Sequence, residues 1–139
     1  MLTPLKSMCL FAGVSLCWHA NVITAYGQSV APLKQTVRSF GETYIAQIQV
    51  GNNYATAQRT DINIYDKNWK RIEPRYISKK TAIIGGEDSI TVTLMMSFTS
   101  KSNQGTIHVC NAILPRVKGI GAAFRGEACA TIIANRLSV

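Results

Sequence analysis

The feature that most restricts the fold is a two-residue alternation of apolar and polar side chains in several segments. In residues 44–50 the apolar face consists of Tyr44, Ala46, Ile48 and Val50. In residues 90–96 it consists of Ile90, Val92, Leu94 and Met96. This period is typical of a β-strand that buries one face. The alternation therefore predicts a sheet with a packed side rather than a helical domain.

Further strands are predicted between turn signals such as Gly51-Asn52-Asn53 and Gly85-Gly86. They cover residues 29–38, 56–65, 70–73, 76–84, 106–113 and 127–137, with a turn at 66–69 and a loop at 115–126. Pro32 places the first of these at a sheet edge, because proline cannot donate to a ladder. About seven strands in a chain of 139 residues predict an all-β fold, an immunoglobulin-like β-sandwich formed by residues 28–139.

The first 27 residues have the pattern of a secretory signal peptide. Lys6 provides a positive charge, residues 8–18 form a short apolar run, and Ala25-Tyr26-Gly27 offers small residues at a cleavage site. The apolar run is shorter than the roughly 20 residues that span a bilayer. We therefore predict export to the periplasm or the medium, with an uncleaved N-terminal anchor as the alternative.

The cysteines support an exported domain with one disulfide. Of the four cysteines, Cys9 and Cys17 belong to the predicted signal peptide, which leaves Cys110 and Cys129. A single remaining pair in an oxidising compartment predicts a structural disulfide. This pair and His108 are too few for a zinc site, which takes about four ligands. No metal or other cofactor is expected.

Nothing in the sequence indicates an enzyme. No G-x-S-x-G nucleophile motif surrounds any serine, and Gly119-Ile120-Gly121 lacks the context of a phosphate-binding loop. The acidic residues are scattered, and His108 lies within a predicted strand, where a histidine usually has a structural or surface role. We therefore expect a binding protein.

The order of motifs resembles the N-terminal domain of periplasmic pilus-assembly chaperones. The resemblance is carried by Pro32 in the first strand and by residues 48–52, 61–66, 86–92 and 107–118, which end in the corner Pro115-Arg116-Val117-Lys118. It implies a partner that is another envelope or secreted protein. In that family, a lysine from the corner and an arginine from an early strand hold the C-terminal carboxylate of a bound subunit.

The resemblance implies partner-binding residues in two regions of the chain. The corner provides Arg116 and Lys118, and the early strand offers two alternatives, Lys34 and Arg38. Binding by β-strand addition would use an exposed edge strand. The candidate edges are residues 29–38 and 127–137.

A second hypothesis follows from the clustered positive charge. The chain carries a net charge of +8, and six basic residues surround one predicted hairpin: Lys67, Lys70, Arg71, Arg75, Lys79 and Lys80. Export argues against nucleic acid as the partner. The alternative function is therefore a secreted surface module that binds an anionic glycan, a lipid headgroup or a host protein through this hairpin.

Overall fold

The computed structural model describes residues 27–113 and 126–138, and within them the chain is all-β. Nine strands follow one another: β1 (Gln28–Ala31), β2 (Lys34–Ser39), β3 (Thr43–Asn52), β4 (Gln58–Asp66), β5 (Tyr76–Ile77), β6 (Thr81–Ile84), β7 (Asp88–Ser97), β8 (Gln104–Ile113) and β9 (Gly126–Arg136). In these residues no helix is long and apolar enough to cross a bilayer. The predicted fold class, an immunoglobulin-like β-sandwich, is confirmed.

The strands form two sheets that face each other. The first, sheet A, has the order β1-β3-β7-β5, and the second, sheet B, has the order β2-β9-β8-β4-β6. All neighbours are antiparallel except β2 and β9, which run parallel. The predicted signal segment up to residue 26 and the predicted loop up to residue 125 lie outside the described residues.

The centre of sheet A confirms the alternation that the sequence shows. β3 and β7 pair along their full length, from Thr43 opposite Ser97 to Asn52 opposite Asp88. Ile48, Val50 and Leu94 are buried on the inner face, whereas the intervening Gln47 and Gln49 are exposed. A period of two residues thus separates the core face from the solvent face.

Two segments predicted as single strands are each divided between the sheets. In residues 29–38, β1 pairs with β3, and the chain then crosses at the cis Ala31–Pro32 bond so that β2 joins β9. In residues 76–84, β5 pairs with β7 and β6 with β4. Both predictions of an unbroken strand were therefore wrong. These two divisions account for the nine strands observed against the seven or so expected.

The predicted strand over residues 70–73 is reduced to one bridge, in which Arg71 pairs with Tyr65. The N–H of Ile72 donates to the carbonyl of Ile64, but the N–H of Arg75 already donates to Met95 in sheet A. The segment therefore crosses from sheet B to sheet A. Pro74, which has no N–H, lies within this crossing.

The core lies between the sheets and is apolar except for a few buried polar side chains. Asn52 and Asn111 are fully buried. The side-chain amide of Asn111 donates to the carbonyls of Ser29 and Gly51, at 3.1 and 3.0 Å, and so joins β8 to β1 and β3. The largest fully buried side chains are Ile48, Ile84, Leu94, Ile113 and Ile132.

Candidate functional site

The candidate site is the N-terminal part of β9, where the strand has one free side. β2 pairs with β9 only from Thr131 to Arg136, and the N–H of Thr131 donates to the carbonyl of Leu33 at 2.9 Å. Alternate residues of a strand turn their backbone groups to the same side. Glu127 and Cys129 therefore direct theirs to this side as well. Within residues 27–113 and 126–138, no strand pairs with them there.

This arrangement corrects one predicted edge and divides the other. Residues 131–136 of β9 lie between β2 and β8, so the candidate edge at 127–137 is restricted to its beginning. Residues 29–38 contribute two edge strands, β1 in sheet A and β2 in sheet B. The correction arises because the chain crosses between sheets after Ala31, which brings β2 alongside β9.

The cysteine pair lies at the free part of β9. Cys110 of β8 and Cys129 of β9 are directly opposite each other and form a disulfide, with a sequence separation of 19. Cys110 is fully buried and Cys129 is half-buried. The predicted bond is therefore present, and it joins β8 and β9 at the level where β2 no longer supports β9.

Glu127 links the same part of β9 to β4. Its carboxylate accepts hydrogen bonds from the Asn63 amide at 2.7 Å and from the Tyr65 hydroxyl at 3.0 Å. Asn63 lies opposite Cys110 in the β4–β8 ladder, so the Glu127 side chain reaches across β8. In the sequence, Glu127 is one of several scattered acidic residues. Only the pairing of β4, β8 and β9 brings its partners within reach.

One oxygen of Glu127 and the two sulfur atoms of the disulfide lie within 4.8 Å of one another. Carboxylate and thiolate groups in such a cluster are typical metal ligands. Here the two sulfur atoms are bonded to each other, so neither is a thiolate. The absence of a metal centre stays a prediction, and in its disulfide form this cluster holds the strand in place.

Trp69 and His108 form a second cluster on the outer face of sheet B. Their ring centroids are 4.0 Å apart and their planes differ by 4°. The Nδ1 atom of His108 lies 3.1 Å from the hydroxyl of Thr131, and Tyr65 approaches Trp69 at 5.9 Å between centroids. His108 is therefore covered by the exposed ring of Trp69 and lies between Tyr65 of β4 and Thr131 of β9.

The turn that carries Trp69 is set by Asp66. One carboxylate oxygen of Asp66 accepts the N–H groups of Asn68 and Lys70, at 2.8 and 3.0 Å. The N–H of Trp69 donates to the Asp66 carbonyl. Such local bonds are typical of aspartate at the start of a turn. They hold Trp69 in a left-handed conformation with φ 61°, which directs its ring over His108.

Two of the four predicted partner-binding residues lie in β2. Lys34 and Arg38 are exposed, and they are opposite Thr131 and Asn135 of β9, respectively. Four residues of strand separate their Cα atoms by about 13 Å. Lys34 is therefore the cation nearer the free part of β9. Arg116 and Lys118 lie outside the described residues, and their role stays a prediction.

The structure distributes the six basic hairpin residues over different places. Lys67 and Lys70 lie on the exposed turn, whereas Arg71 and Lys80 line a shallow depression together with Arg59. Arg75 and Lys79 are exposed outside that depression. Binding of an anionic surface by these side chains stays a prediction.

Lys80 is neutralised locally by an acidic neighbour. Its ammonium group donates to the carboxylate of Glu73 at 2.8 Å. This hydrogen bond and the attraction to the Lys80 charge hold the pKa of Glu73 below its ordinary value. The pair is exposed and adds little to stability, but it reduces the positive charge that Lys80 presents.

The fold and the site define a class: within the described residues, an immunoglobulin-like sandwich whose first two strands lie in different sheets and whose final strand has one free side at its beginning. Solved structures with this fold include the Salmonella enterica SafA pilin in complex with the SafB chaperone, at a TM-score of 0.66, 10% identity, 81% of this chain and 55% of that chain. The E. coli chaperone DraB matches at a TM-score of 0.66, 9% identity, 80% of this chain and 55% of that chain.

A third similar structure has nearly the same extent as this domain. The C. elegans protein WR4, a member of the MSP family, matches at a TM-score of 0.52 and 9% identity, over 79% of this chain and 99% of that chain. The present chain thus spans about 55% of the two pilus-system chains. No protein-family model and no curated protein matches the sequence. The likeness establishes the fold.

Proposed function

We propose that this protein is an exported, non-enzymatic interaction module that binds an extended segment of another envelope or secreted protein by β-strand addition. The proposal includes a signal peptide at residues 1–27 and a periplasmic or secreted mature domain at 28–139. Its mechanism resembles that of a pilus-assembly chaperone. The observation that carries it is the free side of β9 at Gly126–Ala130.

The free side of β9 offers the groups that strand addition needs. Glu127 and Cys129 direct their N–H and C=O groups away from β8. Thr131, two residues after Cys129, faces the same side, where its N–H donates to the carbonyl of Leu33. An incoming strand would continue sheet B beyond the point where β2 begins. Backbone hydrogen bonds would supply affinity, and the side chains of the added strand would supply specificity.

Two cross-strand links prepare this edge for binding. The Cys110–Cys129 disulfide joins β9 to β8, and the Glu127 carboxylate joins β9 to β4 through Asn63. An edge that is already held in the strand conformation loses less conformational entropy when a partner adds to it. The two links therefore favour binding by holding the edge in place, and no catalytic group is involved.

Lys34 adds a positive charge beside the free edge. It is exposed on β2 and lies opposite Thr131, immediately beyond the free residues. An acidic group on the partner, such as a C-terminal carboxylate, would be attracted to it. Arg38 lies farther along β2 and would contact a different part of the partner. Arg116 and Lys118 belong to the same proposal through the resemblance to pilus chaperones.

The similar structures support a protein partner. The SafB chaperone was solved with the SafA pilin, and other chaperones with this fold were solved with tip-adhesin subunits. One similar structure is named a periplasmic chaperone. These are properties of those proteins. They favour a protein partner in the envelope over a glycan or a lipid as the target of the present domain.

The experiment compares three forms of residues 28–139 in a pull-down from the native envelope fraction. Glu127→Pro removes an outward N–H of β9, whereas Glu127→Gln keeps that N–H and serves as the matched control. The captured protein is identified by mass spectrometry, and its complex is mapped by backbone amide exchange. We expect protection at residues 126–130, loss of capture in the proline variant and retention in the glutamine variant.

Circular dichroism must show that the proline variant remains folded. Should it unfold, Lys34→Glu replaces it. Its control is Lys101→Glu, because Lys101 is exposed in the turn before β8, whose first residues pair with the far end of β9. We expect weaker capture for Lys34→Glu than for Lys101→Glu. Capture with no protection at residues 126–130 would contradict the proposal. So would equal capture by the wild type and a folded proline variant.

A further inference from the structure

A cavity of about 260 Å³ opens between the two sheets at the end of the sandwich where β7 finishes and β8 begins. Its base consists of Ile72, Met96, Phe98 and Ile107. Met96, Phe98 and Ile107 are buried core residues, and Phe98 also packs on Tyr44 at 4.9 Å between ring centroids. The base is therefore apolar and firmly held. The rim is formed by short polar side chains and by the turn that carries Lys67.

The strand beside this cavity has a free edge. The N–H of Phe98 donates to Glu42 on the β3 side, so the backbone groups of Ser97 face the opposite side of β7. On that side, the N–H of Arg75 donates to Met95, and the residues that precede Arg75 belong to the crossing from sheet B. Among the described residues, none accepts from or donates to the backbone of Ser97 there. The free edge thus adjoins the apolar cavity.

The size of the cavity indicates what it accommodates. Pockets that enclose a drug-sized ligand have about 300–1,000 Å³, and this one is smaller. It is sufficient for one large apolar side chain. A strand added beside β7 would direct the side chain opposite Phe98 to the same face as Phe98, because residues opposite each other in a sheet share a face. That side chain would enter the cavity.

The charge at the rim favours acidic flanking residues. Lys67 is exposed at the rim. Asp66 is the acidic residue of the rim, but its carboxylate accepts two backbone N–H groups of its own turn. Lys67 is therefore more available to a partner than Asp66 is.

We propose that this cavity together with the free edge at Ser97, here called the β7 notch (Lys67, Ile72, Ser97, Phe98 and Ile107), binds an extended acidic peptide segment of a partner protein. One large apolar side chain of the segment occupies the cavity, and its backbone pairs with Ser97. The notch uses β7 of sheet A, whereas the free part of β9 belongs to sheet B. The two sites are distinct, and either can fail without the other.

The probe is a blocked seven-residue peptide that has a central phenylalanine, threonines beside it and an aspartate at each end. It is titrated into residues 28–139 labelled with ¹⁵N and with ¹³C methyl groups. We expect shift changes at the amides of Ser97 and Thr99 and at the methyl groups of Ile72 and Ile107. Replacing the central phenylalanine by alanine should weaken binding at least about tenfold, because the buried apolar area is lost.

Two pairs of variants separate the parts of the notch. Ser97→Pro removes the free N–H and should weaken binding of the phenylalanine peptide about threefold or more. Its control, Thr91→Pro, removes an N–H that faces the same side of β7 but lies away from the cavity. Lys67→Glu should weaken binding about threefold, with a difference that disappears as salt is raised. Lys79 is exposed but lies outside the rim, so Lys79→Glu should change the peptide affinity little.

Several outcomes would overturn the proposal. They are equal affinity for the phenylalanine and alanine peptides, shift changes confined to residues 126–130, and tighter binding of octanoate than of the peptide. If Ser97→Pro does not fold, Thr99→Trp replaces it, because a large ring at this rim position would block the cavity. Unchanged peptide affinity in a folded Thr99→Trp variant would also overturn it.

Discussion

The indole of Trp69 lies flat on the imidazole of His108, with ring centroids 4.0 Å apart and planes that differ by 4°. This contact joins the turn after β4 to the outer face of β8. Trp69 adopts a positive φ of 61° to make it, a conformation that is unfavourable for residues other than glycine. The stacking energy is therefore opposed by backbone strain.

The first prediction separates these two contributions. Trp69→Ala should lower the free energy of unfolding by about 1 kcal/mol, because the aromatic contact is lost and the strain remains. Trp69→Gly loses the same contact but relieves the strain, so it should be about 1 kcal/mol more stable than the alanine variant. Urea unfolding followed by circular dichroism measures both. A glycine variant no more stable than the alanine variant would show that the turn is unstrained.

The second prediction concerns the disulfide at the candidate site. Replacing Cys110 and Cys129 together by alanine should lower the free energy of unfolding by about 3 kcal/mol, because a loop of this length is no longer closed in the unfolded chain. Chemical unfolding of both forms without reductant tests this value. A loss under about 1 kcal/mol would indicate that the bond mainly holds the edge of β9 in place and contributes little to the stability of the domain.

The third prediction concerns the buried amide of Asn52. Its nitrogen donates to the carbonyls of Thr56, Ile84 and Gly85, at 2.8, 3.1 and 2.9 Å. Asn52→Ala should lower the free energy of unfolding by about 3 kcal/mol, because several carbonyl groups lose their donor. The exposed neighbour Asn53 provides the control, and Asn53→Ala should change stability by less than about 0.5 kcal/mol. Equal losses in the two variants would contradict this role.

The fourth prediction concerns alkaline stability. Burial raises the pKa of Tyr44 from 10.0 to about 12. Below pH 10 the phenol is protonated in both the folded and the unfolded chain. As pH rises from 10 towards 12, only the unfolded chain loses the proton, so folding becomes less favourable by up to about 2 kcal/mol.

Tyr44→Phe isolates this effect. The stability difference between wild type and variant should be constant below pH 10 and should shift in favour of the variant above it. Urea unfolding at a series of alkaline pH values provides the comparison. A constant difference up to pH 12 would show that Tyr44 titrates equally in both states.

Much of the fold could be predicted because a strand pattern is local. Alternation assigns the buried face of β3 and β7 without reference to other strands, and turn residues mark where strands end. The division of residues 29–38 and 76–84 between two sheets could not be predicted in this way. It depends on which distant strand accepts each hydrogen bond, and a run of alternating residues contains no information about that partner.

The candidate site shows the same division. The sequence by itself determined the all-β class, the core face of the long strands and the pairing of Cys110 with Cys129, since only two cysteines remain after the predicted signal peptide. Tertiary structure alone decided that β2 covers the end of β9 and leaves its beginning free, that Glu127 reaches Asn63, and that Trp69 covers His108. Each of these depends on β2, β4, β8 and β9 lying side by side. That order results from long-range hydrogen bonding and core packing, whereas the alternation within a strand results from local backbone geometry.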